Sequence, residues 1–71
     1  MSDTLKSLRK EKGLTQTELA RKIGVTPTTI SSWEIGRNAP YPRYIPKLAE
    51  VLGVSSKQIF LLTNNIKLVK N

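Results

Sequence analysis

Residues 15–35 run TQTELARKIGVTPTTISSWEI, and this stretch decides the fold, because it starts, stops and restarts a helix by purely local signals. The Thr15 hydroxyl can accept from the free N–H groups of the next turn, while Glu18 can reach back to the Thr15 N–H: a reciprocal capping box. Leu14 before the cap and Leu19 after it are spaced to close a hydrophobic staple. Gly24 can adopt the left-handed conformation that ends a helix, so the spacing predicts a stop after Ile23. A second helix begins almost at once. Thr26 is its cap, Pro27 fills the first position where a missing N–H costs nothing, and Val25 with Ile30 makes a second staple. A turn this short cannot return the chain antiparallel, so the two helices must cross steeply.

Outward from this pair, apolar spacing places Leu19, Ala20 and Ile23 on one inner face and Ile30 and Trp33 on the other. Ala20 is small, which suits the point where two crossing backbones approach. A first helix is predicted over about Thr4–Lys12, with Leu5 and Leu8 inward and Gly13 ending it. The segment 36–42 is rich in turn formers and reads as a loop. A fourth helix is expected over about Arg43–Leu52 with Pro46 early in it, and Gly53 ends it. Ser55 with Gln58 reads as another capping box, Val54 with Ile59 as a third staple, and the fifth helix should end near Leu62 or Thr63. The expectation is an all-α, compact five-helix domain over residues 1–63. The tail, 64–71, contains Ile66, Leu68 and Val69 and is either a short strand in a dimer contact or disordered.

Three segments in this order, LRKEKGLTQTELA, GVTPTTISSWEIG and PRYIPKLAEVLGVS, resemble the Cro/repressor-type helix-turn-helix family of lambdoid phages and related bacterial regulators, across roughly Leu5 to Leu62. The resemblance implies a lambda-repressor-like DNA-binding domain whose helices 2 and 3 form the helix-turn-helix. It further implies a sequence-specific transcriptional regulator, a phage or prophage Cro-like repressor, that binds a two-fold double-stranded DNA operator as a homodimer. The formal net charge of +7 on 71 residues agrees with a polyanionic partner.

Helix 3 is then the element expected in the major groove. Its outward residues, Pro27, Thr28, Thr29, Ser31 and Ser32, are small enough for close approach, and hydroxyls can donate to or accept from base edges. By the resemblance, Pro27, Thr28 and Ser32 face bases. Pro27 stands where related proteins often carry a long amide, and it offers no donor, which shifts the expected reading to Thr28, Ser32 and DNA shape. Gln16, Thr29, Ser31, Arg37, Asn38 and Arg43 are the expected backbone contacts. Gln16 matches a phosphate-holding glutamine at a helix N-terminus, and Arg43 matches an arginine near the minor groove at the operator centre. The resemblance also pairs Arg9 with Glu34, tying helix 1 to the end of helix 3; the alternative is two unrelated surface charges. Lys6, Lys10, Lys12, Lys57 and Lys67 read as a solvated face.

The run Ile59, Phe60, Leu61, Leu62 is too apolar for one helix to bury on a single face, so part of it is expected at a dimer interface. Without cysteine or histidine, and with five carboxylates scattered along the chain, neither a metal site nor a catalytic nucleophile–base pair can be assembled. No enzyme activity, metal, cofactor or small-molecule ligand is therefore expected. No stretch reaches the ~20 apolar residues a spanning helix needs, and the cysteine-free composition fits the cytoplasm. Two other readings stay open: the DNA-binding part of a larger repressor, and a protein-binding antitoxin or antirepressor.

Overall fold

Hydroxyl side chains set where four of the helices begin. The computed structural model describes residues 4–64 and contains α1 (Leu5–Glu11), α2 (Gln16–Ile23), α3 (Pro27–Glu34), α4 (Ile45–Leu52) and α5 (Ser56–Asn64), with a 3₁₀ turn at Pro42–Tyr44. Among the described residues there is no strand. Thr4, Thr15, Thr26 and Ser55 accept from the backbone N–H of Ser7, Glu18, Thr29 and Gln58 at 3.0–3.2 Å. Thr15 completes the reciprocal box, its own N–H donating to Glu18 Oε1 at 2.8 Å. Ser55 shows only the forward half of the expected box.

The staples turn these local starts into a core. Leu14, Val25 and Val54, the residues before three of the caps, lie half-buried against it. Their partners Leu19, Ile30 and Ile59 are all fully buried, and with Leu48 they are the largest side chains so enclosed. Each helix start is thus also a core contact, which couples capping to burial. Leu5, Leu8, Ala20, Trp33, Ile45 and Leu52 fill the same cluster.

α2 and α4 end alike. Gly24 and Gly53 sit at φ 91° and 73°, and in each case two successive N–H groups converge on one carbonyl, that of Ala20 or Ala49. A Cβ at Gly53 would meet Lys12 Nζ at 3.2 Å, so this lysine lies over the C-terminus of α4, where a cation is favoured.

Two boundaries differ from expectation. The segment after the loop opens as a 3₁₀ turn rather than as α-helix from Arg43. Pro46 has no N–H to give the Pro42 carbonyl four residues back, so Pro42 accepts instead from Ile45, three residues on. The α-helix proper starts at Ile45, and Pro46 falls in its first turn, where N–H groups have no partner within that helix. At the other end, α5 runs through Asn64, past the expected Leu62 or Thr63, with Thr63 Oγ1 donating to the Ile59 carbonyl and Asn64 Nδ2 to that of Phe60. The remainder of the expected tail, 65–71, and its strand alternative lie outside the described residues.

Candidate nucleic-acid interface

α3 buries Ile30 and Trp33, and at 100° per residue the direction opposite that stripe is occupied by Thr28, flanked by Ser31 and Ser32. Pro27 and Thr28 are exposed, while Ser31 and Ser32 are partly covered. The helix contains no lysine or arginine, and its only charge, Glu34, turns inward. Its outward face is therefore small, hydroxylated and uncharged. Thr29 belongs to the flank. Its hydroxyl shares a 2.9 Å hydrogen bond with that of Thr26, and it lines a shallow groove of about 420 Å³ with Val25, Trp33, Asn38, Tyr41 and Tyr44.

Glu34 organises the other flank. Its carboxylate receives Arg9 Nε on Oε2 at 2.5 Å and Nη2 on Oε1 at 3.3 Å, while Arg9 Nη1 donates to the Leu14 carbonyl at 2.8 Å. Both side chains are more than nine-tenths buried. α1, the entry to α2 and the end of α3 are thereby joined through one guanidinium. Gln16 Nε2 also donates to Glu34 Oε1, at 2.9 Å. The amide is thus not a free surface group: it is held on α3, with a second N–H left for an anion. The N-terminus of α2 is less open than its position suggests, since the capping box uses the N–H groups of Thr15 and Glu18 and leaves those of Gln16 and Thr17.

The loop after α3 folds back on it, with the Arg37 N–H donating to the Ser32 carbonyl at 2.9 Å. Arg37, Asn38 and Arg43 are exposed, whereas Pro40 is buried and pins the loop's middle. Arg43 lies over two rings, its guanidinium carbon 5.1 Å from the Tyr44 centroid and 5.7 Å from that of Tyr41. Tyr44 in turn packs on Trp33, with ring centroids 5.6 Å apart and planes tilted by 46°. Sequence reasoning missed both tyrosines. The one available signal was an arginine flanked by aromatics in YPRY, a pattern with no helical period to draw attention to it.

Of the four apolar residues expected at a dimer contact, Ile59 is fully buried in its own core and cannot contribute, and Leu62 is half-buried against that core. The correction follows from the staple: as the partner of Val54, Ile59 is committed inward. Phe60 and Leu61 remain 44% and 54% exposed, and Ile35, at the end of α3, is 66% exposed. No helix among the described residues is long and apolar enough to cross a membrane, and no cluster of potential metal ligands occurs among them.

The chain matches the family model described as helix-turn-helix across residues 5–59. It is 41% identical over 63 residues to an uncharacterized HTH-type transcriptional regulator of Methanothermobacter thermautotrophicus, covering 87% of this chain and 91% of that protein. A second uncharacterized HTH-type transcriptional regulator, of Bacillus subtilis, is 30% identical over 70 residues, which is 99% of this chain and 60% of the relative. A putative multi-protein-binding factor 1 of Yarrowia lipolytica is 46% identical over 46 residues, or 65% of this chain. The chain spans 30% of that relative's length, and 33% of the multiprotein-bridging factor 1 of Candida albicans. No solved structure matches the chain with comparable significance.

Proposed function

The chain belongs to the helix-turn-helix family of transcriptional regulators, and from that premise we propose that it is a Cro-like repressor of phage or prophage type. It binds a two-fold operator in the cytoplasm by setting α3 into the major groove. The observation that carries this reading is the continuity between two surfaces: the small, uncharged outward face of α3 and the exposed cations Arg37 and Arg43 that follow it. The first can approach base edges closely, with Thr28 and Ser32 reading them beside Pro27. The second, with Ser31, Thr29, Asn38 and the Gln16 amide, can hold the phosphates along the groove wall.

One domain of this size spans too few base pairs for useful discrimination, so two copies are placed on half-sites about one helical turn apart. Phe60 and Leu61 supply the contact between them. Selecting bound duplexes from a random pool tests the whole reading. A palindromic consensus with half-sites ~10 base pairs apart is expected, together with affinity that falls steeply as salt is raised. Recovery of no consensus, or a shallow salt response, overturns it.

The similarity to multiprotein-bridging factors favours a second reading, in which the domain contacts another protein through Ile35, Phe60 and Leu61. Leu61→Asp separates the two. Under the operator reading it lowers affinity for a two-fold site and spares an isolated half-site; under the second it leaves DNA binding untouched.

A further inference from the structure

Arg43 is held in place without being neutralised. Two aromatic rings lie within cation–π range of its guanidinium, and Nη2 donates to Tyr44 Oη at a long 3.4 Å. Among the described residues no carboxylate pairs with it, in contrast to Arg9, which pairs with Glu34. The distinction is physical. A carboxylate engages the planar edge of a guanidinium, occupying its N–H donors and cancelling its charge. A ring engages the flat face, leaving the charge in place and most of the edge donors directed outward. Tyr44 is anchored in its turn on Trp33, which is 6% exposed on the inner side of α3. An unbroken contact chain therefore runs from the helix proposed to read bases to an arginine ten positions beyond its tryptophan.

We infer that Tyr41 and Tyr44 are positioning residues for DNA binding: they hold Arg43 at a fixed distance from α3 with its charge and remaining donors free for the duplex. Tyr44 sets the register through Trp33, and Tyr41 closes the guanidinium from its exposed side. The inference rests on the DNA-binding reading above. It gives a role to Tyr41, a ring 67% exposed beside a basic residue and outside the core, whereas Tyr44 also packs against that core.

The test uses the whole chain and a duplex selected from a random pool. Tyr41→Leu removes an exposed ring and leaves the core intact; it is expected to weaken binding about 2- to 5-fold, while Tyr41→Phe, which keeps the ring, restores the wild-type value. In an Arg43→Ala background, Tyr41→Leu should change nothing further. In the free protein, the ring-current displacement of the Arg43 Hδ proton resonances should shrink in Tyr41→Leu and persist in Tyr41→Phe. An equal loss with and without Arg43 means that Tyr41 touches DNA itself and overturns the positioning role, as does an unaltered affinity or spectrum for Tyr41→Leu. Failure of the wild-type chain to bind any selected duplex overturns the DNA reading; normal wild-type binding with an inert Tyr41 overturns only the inference.

Discussion

Arg9 and Arg43 stand on the two flanks of α3 and both have side-chain partners, yet partners of different kinds. Arg9 is gripped by its edge. Glu34 and the Leu14 carbonyl take its donors, burial excludes water, and the charge is consumed in joining α1, α2 and α3. Arg43 lies beside the Tyr41 and Tyr44 rings, with one long donor contact to Tyr44 Oη, in the open and with its charge unspent. A guanidinium paired with a buried carboxylate is committed to structure; one beside neutral rings keeps its charge available for binding. Counting basic residues, or even locating them on one side of a domain, does not make this distinction.

The largest effect expected from this contrast is on stability at the edge-gripped site. Arg9→Ala should lower the unfolding free energy by ~3 to 5 kcal/mol, because Glu34 is left buried and uncompensated. Urea denaturation checks it, and a loss under ~1 kcal/mol would mean the pair behaves as an exposed one. Arg9→Lys should recover little, since an ammonium cannot reproduce the planar fork. Replacing Arg9 and Glu34 together by apolar residues should cost less than either single truncation.

Next comes the staple. Leu19→Ala should cost ~2 to 5 kcal/mol and Thr15→Ala ~0.5 to 2 kcal/mol, so that the buried partner of the same helix start outweighs its cap. The same denaturation series ranks them, and equal losses would uncouple capping from burial. On the binding side, Thr28→Ala should alter preference at one base pair by ~1 to 3 kcal/mol, read by competition among single-site operator variants. A uniform loss over all variants would remove Thr28 from base reading. Smallest in stability is Arg43→Ala, within ~0.5 kcal/mol of wild type, while the slope of log affinity against log salt falls by about one. If Arg43→Ala destabilises the fold as Arg9→Ala does, the contrast between the two arginines collapses.

Much of this architecture could be read from the chain because its signals are local. A hydroxyl, a glutamate three residues on, and a pair of leucines around them specify the start of α2 without reference to anything distant, and Gly24 specifies its end in the same way. What local reading could not reach were competitions among partners. It placed Arg43 at a helix start because it weighed Pro46 as a tolerated residue, whereas the bond Pro46 cannot make is what turns Pro42–Tyr44 into a 3₁₀ turn. It assigned Gln16 to phosphate without seeing that Glu34 draws the amide first. It read both the Val54–Ile59 staple and an apolar run from Ile59 to Leu62 at a dimer contact without weighing one against the other, and the staple takes Ile59 inward and leaves Phe60 and Leu61 outside. The Tyr41–Arg43–Tyr44 contact was missed for a further reason: YPRY has no helical period, and whether neighbours one and two positions from Arg43 reach its guanidinium depends on the backbone turn.

The absence of any lysine or arginine from α3 has a consequence for how this surface can change. Under the proposed DNA-binding reading, attraction to a polyanion and discrimination among its sequences reside on separate segments, so residues 28, 31 and 32 can be exchanged for other neutral side chains without disturbing the ionic response. A panel of such variants would share one salt dependence while preferring different sites, which makes this helix a replaceable cartridge on a constant electrostatic mount.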